Sequence, residues 1–311
     1  MISAELHVNS LNNWEGQMIF ENLKGELRLN EPLSKHTSWR VGGIAQRFYR
    51  PESVKDLAVF LAQLPKDEPV FWLGLGSNVL VRDGGFPGTV ISIAGSLQQL
   101  EFEGEIVSFE VGVYCGKLAK KAAQAGLTGS AFLAGIPGTM GGALAMNAGA
   151  HQNETWDWVT EITTVNRDGA IKVRKPEDFK VAYRHVELPE GEWFVAAKLK
   201  LEHGEPAQEL EQIKALLKKR NISQPTNQPC AGSVFRNPEG DFAGRLIESG
   251  GYKGLSIGGA RVSEKHANFI VSDSSASAAD IEALIGLVQQ KVSTDSGVIL
   301  IPEVHIIGES A

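Results

Sequence analysis

The sequence predicts an α+β protein, and three stretches carry that prediction. Residues 45–93 hold a helix between strand-like runs, a β-α-β unit. Strands then dominate as far as residue 201, without the regular β/α alternation of a doubly wound sheet. A Pro/Asn/Gln-rich break over residues 221–241 follows, and helices and short strands resume beyond it.

Each element has a local reason. Gly42 and Gly43 mark a turn between a polar segment and a strand over residues 45–49. Ser53-x-x-Asp56 opens a helix in the manner of a capping box; Val54, Leu57, Ala58, Leu61 and Leu64 follow at helical spacing, and Pro65 closes it. Strands are expected over 70–75 and 89–93, the first running into GLGSNVLV, a glycine turn at a strand's end where ligands commonly sit. Residues 106–113 alternate as a strand, and 117–124 form a short helix with Gly126 as its C′ residue. Arg167-Asp168-Gly169 joins 161–166 to 170–173 as a hairpin, and 193–201 is a further strand. Residues 208–220 form an amphipathic helix. Past the break come a helix over 243–249, a glycine-rich turn and a strand over 268–271. A long helix then starts near Ser277, and strands over 298–301 and 304–307 end the chain.

The stretch 131–150, AFLAGIPGTMGGALAMNAGA, stands apart. Five glycines fall between Gly135 and Gly149, with no charged side chain. A flexible linker would mix Gly with Ser and other polar residues. Here the partners are Ile136, Pro137, Met140, Leu144 and Met146, which reads as buried and ordered. Such a stretch serves either as a packing turn or as a wall against a flat ligand, its amides binding an anion without lysine.

With 311 residues there is room for two or three domains at about 100–200 residues each. Thirty basic against thirty-seven acidic residues give a net charge of -7 with no basic block, which excludes nucleic-acid binding by phosphate neutralisation. Two cysteines, Cys115 and Cys230, lie in no Cys-x-x-Cys pattern; a reducing compartment is expected and a zinc or iron–sulfur site is not. No secretory signal pattern opens the sequence, and no apolar run approaches 18 residues, so a cytoplasmic protein without membrane insertion is expected. Residues 1–20 read as a polar arm, with Met1 and Met18 both open as the start.

Several candidate motifs fail on their own terms. Gly74-x-Gly76 lacks the third glycine of a dinucleotide fingerprint, and GVYCGKL (112–118) puts Leu118 where a P-loop needs Ser or Thr. No helix carries a His-Glu-x-x-His pair, so no metal is expected. Three residues are harder to set aside. Ser233 follows a glycine on a strand-like run and is either a turn hydroxyl or a proton donor. Glu303 sits in an apolar segment, where a carboxylate needs a partner. Arg184 offers a cation, although alone it reads as a surface residue.

The ordered set PLSKHTSWRVGG (32–43), GLGSNVLV (74–81), AGIPGTMGGALAMNAGA (134–150), YR (183–184), AGSVFRNP (231–238), AGRLIE (243–248), YKGLSIGGARVSEKHANFIV (252–271) and IPEV (301–304) resembles the UDP-N-acetylenolpyruvoylglucosamine reductase family. That resemblance implies a two-lobed FAD-binding domain of the vanillyl-alcohol-oxidase type plus a C-terminal α+β substrate-binding domain. On this chain it places the lobes at 21–95 and 96–205, and the substrate-binding domain at 206–311, whose last strand returns a catalytic glutamate. It also implies a bacterial, cytoplasmic enzyme of peptidoglycan-precursor synthesis. Electrons pass from NADPH to FAD and then to UDP-N-acetylglucosamine enolpyruvate, giving UDP-N-acetylmuramate.

The same resemblance distributes roles. Gly74, Gly76, Ser77, Asn78 and Val79, with Gly135, Ile136, Pro137, Gly138, Gly141 and Gly142, would wrap FAD, their amides neutralising the pyrophosphate. Some flavoproteins of this fold anchor flavin covalently through a histidine in the first loop; Ser77 and Asn78 stand there, which implies dissociable FAD. Arg184 and a protonated Glu303 would hold and polarise the substrate carboxylate, and Ser233 would protonate the carbon α to it. Tyr183, Asn237, Lys253 and His266 would lie along the substrate. Many members carry a small hydroxyl residue just past the Tyr-Arg pair, where this chain has His185-Val186. Only residues 187–192 separate that turn from the next strand, leaving no room for the tyrosine loop of the family's longer form. An oxidase of the same fold, keeping the FAD loops alone, and a non-catalytic flavin or nucleotide binder remain the rival readings.

Overall fold

The structure, a computed structural model, describes residues 20–150 and 153–311. The arm expected over 1–20 and the choice of Met1 or Met18 lie outside the described residues, Phe20 apart.

The chain begins with β1 (Glu26–Pro32), β2 (Ile44–Arg50), α1 (Val54–Gln63), β3 (Val70–Leu73), β4 (Val79–Val81) and β5 (Phe86–Ser92). Ser53 caps α1 by accepting from the Asp56 amide, as expected. The reciprocal half of the box is not made, because the Asp56 carboxylate instead takes the amides of Lys24 and Glu52 and the Tyr49 hydroxyl. The β-α-β unit is present but split: the sheet order is β1-β2-β5-β3, with β5 inserted parallel between the two strands joined by α1. β1 was hidden by its polar sequence, since only Leu27 and Leu29 alternate with charge.

β6 (Leu100–Glu103), β7 (Ile106–Glu110), α2 (Cys115–Gln124) and β8 (Leu127–Thr128) lead into a 3-10 turn over Ala131–Gly135 and α3 (Met140–Ala145). Then come β9 (Gly149–Ala150), β10 (Asn153–Glu154), β11 (Val159–Asn166), β12 (Ile171–Arg174), β13 (Lys180–Ala182), β14 (His185–Glu187), β15 (Glu192–Lys200) and β16 (Glu202–His203). Five of these build an antiparallel sheet in the order β12-β11-β15-β7-β6. The hairpin at Gly169 and the C′ glycine at Gly126 are as expected, with φ of +78° and +75°.

α4 (Pro206–Ser223) packs through Leu210, Ile213 and Leu216 into the core that α2 and the 131–135 turn share. The division expected at residue 206 therefore moves. The change of core falls within the Pro-rich passage, after which α5 (Ala243–Ser249), β17 (Ser256–Ile257), β18 (Ala260–Val262), β19 (Ile270–Ser272) and α6 (Ala278–Ser296) form their own cluster. Ser277 and Asp280 make the complete capping box that α1 lacks. Trp39 from the first lobe is buried in this second core, its indole N–H donating to the Ile270 carbonyl at 2.8 Å.

Residues 298–301 do not form the strand expected there. Pro302 has no N–H to extend a ladder, and pairing is confined to a single bridge between Phe235 and Pro302. The chain ends with β20 (His305–Ile307), parallel to β4 in the first lobe.

Candidate active site

Two loops face one another across the middle of the molecule. The first, residues 74–78, leaves β3 and enters β4; Gly76 takes φ +62°, with the His36 carbonyl 2.2 Å from where a Cβ would stand, so only glycine fits. The amides of Gly76, Ser77 and Asn78 donate to no acceptor among the described residues. The second loop is held by its backbone: Cys115 N donates to Gly138 O and Met140 N to Val113 O. Its side chains divide as the sequence reading requires. Ala131, Phe132, Leu133, Ala134, Met140, Ala143 and Leu144 are buried, whereas Pro137 and Gly142 are exposed.

This surface fits a flat, anionic cofactor. A Cβ on Gly135 or Gly142 would meet nothing within 4 Å, so no protein contact demands these glycines. Thr139, absent from the sequence reading, is buried between the loops, and its hydroxyl has no partner among the described residues. Gly141 differs: a Cβ there would stand 2.9 Å from Ile93 and 3.0 Å from Val111, which makes it a packing glycine. Val79 likewise turns its side chain into the first lobe's core. The two loops meet closely: a Cβ on Gly74 would stand 2.7 Å from Thr139 Oγ1, and one on Gly138 3.9 Å from Ser77 Oγ, while Ile136 packs against the core.

Ser233 and Glu303 are brought to the first loop, and Arg184 meets Glu303 there. Gly232 N donates to Ser77 O at 3.0 Å, which sets Ser233 beside that loop with a hydroxyl that no protein group engages among the described residues. Asn78 donates to the Glu303 carbonyl at 3.1 Å, and His305 N to the Asn78 carbonyl at 3.0 Å. The Glu303 carboxylate lies 3.4 Å from Arg184 Nε, with side chains 17% and 19% exposed. Burial pushes the Glu303 carboxyl above its ordinary range, against the opposing pull of Arg184 and Arg236.

Arg184 reaches this place through strain and a buried asparagine. It sits with φ +55° at the tip of the β13–β14 hairpin, a conformation a non-glycine residue holds only when its surroundings enforce it. Its guanidinium donates to the carbonyls of Asn147 at 3.3 Å and Gly149 at 3.0 Å. Asn147, itself at φ +40°, binds Glu154 and the Ala182 carbonyl through its side chain. Neither Asn147 nor Arg236 was singled out in the sequence. Tyr183 lies exposed against the Arg184 guanidinium, 4.9 Å from ring centre to carbon.

Asn237, Lys253 and His266 form a second cluster around α5. Asn237 accepts from the Ala243 amide, a Cβ on Gly244 would stand 3.4 Å from the His266 ring, and Lys253 pairs with Glu248. Burial, with Lys253 nearby, lowers the His266 pKa. Among the described residues no group of three or more His, Cys, Asp or Glu is placed to hold a metal ion, and no helix is long and apolar enough to cross a membrane.

Residues 45–174 match the model of the FAD binding domain, and residues 224–307 match that of the UDP-N-acetylenolpyruvoylglucosamine reductase C-terminal domain. The matched families thus define an FAD-containing oxidoreductase, in which a C-terminal unit carries a hydroxyl and a carboxyl to the two facing loops. Proteins bearing the reductase name share 57% identity over 286 residues in Alkalilimnicola ehrlichii (92% of this chain, 96% of the relative) and 56% over 289 in Legionella pneumophila strain Corby (92% and 94%). The solved reductase of Thermus caldophilus superposes with a TM-score of 0.78 at 34% identity, covering 92% of this chain and all of its own. The chain belongs to the UDP-N-acetylenolpyruvoylglucosamine reductase family.

Proposed function

We propose that this protein uses NADPH to reduce the enolpyruvyl group of UDP-N-acetylglucosamine enolpyruvate to the lactyl group of UDP-N-acetylmuramate, in the bacterial cytoplasm. The observation that carries the reading is the convergence of Arg184, Ser233 and Glu303 on the loop Ser77–Asn78. An oxidase needs the two loops alone, and a nucleotide binder needs no buried acid there. Bound FAD supplies the two-electron chemistry; Gly76, Ser77, Asn78 and Thr139 would hold it through free amides and a hydroxyl.

The protein's own groups then act on the substrate. Arg184 binds the carboxylate, and Glu303, whose carboxyl burial shifts toward the protonated form, donates a hydrogen bond to it in that form, drawing charge away from the vinyl carbon as hydride arrives there. Ser233 gives a proton to the carbon α to the carboxylate. Asn237, Lys253 and His266, clustered around α5, are the groups for the sugar and diphosphate.

A stopped-flow pair tests this. NADPH bleaches the flavin band, and the enolpyruvyl substrate restores it without oxygen. Ser233→Ala retains the bleaching and loses the restoration by about 10²-fold or more. Substrate-independent reoxidation by oxygen as the sole fast route would assign an oxidase instead.

A further inference from the structure

We propose that Arg236 is a second cationic residue of the reaction, whose guanidinium shares with Arg184 the negative charge that develops on the substrate carboxylate; this rests on the reductase reading above. Residues 234–236 and 301–303 face each other as a two-residue antiparallel bridge: Glu303 N donates to Val234 O at 2.7 Å, and Arg236 N to Ile301 O at 2.9 Å. Side chains alternate across such a bridge. Val234 and Phe235 are both buried in the C-terminal core, while Arg236 and Glu303 are half-buried and diagonal to each other across the bridge, within reach of a long side chain.

The Arg236 Nε is buried and has no hydrogen-bond partner, and the guanidinium makes no ion pair among the described residues. A buried guanidinium N–H without a hydrogen-bond acceptor is costly unless a ligand arrives to meet it. The groups facing Glu303 are Arg184 from the β13–β14 tip, Arg236 across the bridge and the Asn78 amide on its backbone. His305, near Arg236, touches the Met146 sulfur at 3.2 Å.

Charge counting gives Arg236 its task. Hydride adds to the terminal vinyl carbon and makes a methyl group. The π electrons move into the conjugated carboxylate, so one negative charge becomes two, until a proton closes the C–H bond at the α carbon. In the reductase reading Glu303 works in its protonated form, and Arg184 then balances one charge. Arg236 balances the other.

The test uses the FAD-loaded enzyme with Arg236→Gln and Arg236→Lys. Reoxidation by the enolpyruvyl substrate is expected to slow by about 10²-fold in the Gln variant and about 10-fold in the Lys variant, which keeps the charge but not the fork. Flavin content, melting temperature and reduction by NADPH stay near the parent values. Glu303 acts protonated, so the parent rate falls as pH rises through its pKa; removing Arg236 moves that fall to higher pH, a change that lost packing would not produce. Equal reoxidation rates, equal slowing of both half-reactions, or an unmoved pH limb would each overturn the proposal. If the parent enzyme itself is not reoxidised by this substrate, the reductase reading fails and the proposal falls with it.

Discussion

Replacing Gly142 by alanine separates the two meanings of the Gly/Ala stretch. Gly142 lies in the first turn of α3, exposed, and an added Cβ meets no atom within 4 Å. In the apoprotein the methyl therefore costs nothing sterically, and the helix gains about 0.5–1 kcal/mol from the lost flexibility of glycine. If a flavin covers that face at van der Waals contact, the same methyl intrudes on it. Overpacking of that kind costs about 1–3 kcal/mol, or roughly 5–150-fold in FAD affinity. Gly141→Ala is the control, since its methyl would crowd Ile93 and Val111 and should destabilise the apoprotein. Flavin titration by fluorescence quenching, run beside thermal melts of the stripped protein, reads both quantities. An FAD affinity unchanged in Gly142→Ala would show that the stretch is a packing turn and not a cofactor wall.

Other changes probe the frame around the site. Trp39→Ala removes a side chain that is 1% exposed and hydrogen-bonded to Ile270, so it should cost about 3–5 kcal/mol in urea unfolding; a loss below 1 kcal/mol would mean the first lobe and the C-terminal core are not coupled there. Glu192, ringed by Arg174, Thr164 and Lys172, has a carboxyl lowered to about 2. A lowered carboxylate stabilises above its unfolded pKa and loses that contribution as pH falls toward 2, so Glu192→Gln should cost about 2–3 kcal/mol at neutral pH and flatten acid unfolding between pH 4.5 and 2. An unchanged acid profile would refute it.

Much of the fold was legible where a local rule decides. Ser53, Ser277 and Gly126 set helix ends by chemistry visible in a few residues, and the hairpin at Gly169 needed only its turn. What escaped depended on partners far along the chain. Nothing local tells β5 to enter between β2 and β3, or α4 to join the second lobe's core. The apolar run 298–301 reads as a strand, yet Pro302 and a partner segment three residues long leave it a single bridge. The site divides similarly. Arg184, Ser233 and Glu303 were found through ordered motifs, and the structure brings them together. Arg236 was passed over inside the same motif, because an arginine beside Phe235 looks like the wet face of a strand until the bridge to Glu303 is seen. Thr139 and Asn147 were hidden among glycines and alanines, their importance resting on a buried hydroxyl and on a carbonyl that Arg184 grips.

The parallel pairing of β20 with β4 has a consequence for how the enzyme comes into being. Asn78, in the flavin-facing loop, waits for the Glu303 carbonyl, 225 residues further along. During synthesis both glycine loops leave the ribosome long before Glu303, whose carbonyl Asn78 holds. A chain halted before residue 303 lacks both Glu303 and β20, the sheet partner of β4, so the loop that enters β4 is fastened only when the last residues arrive.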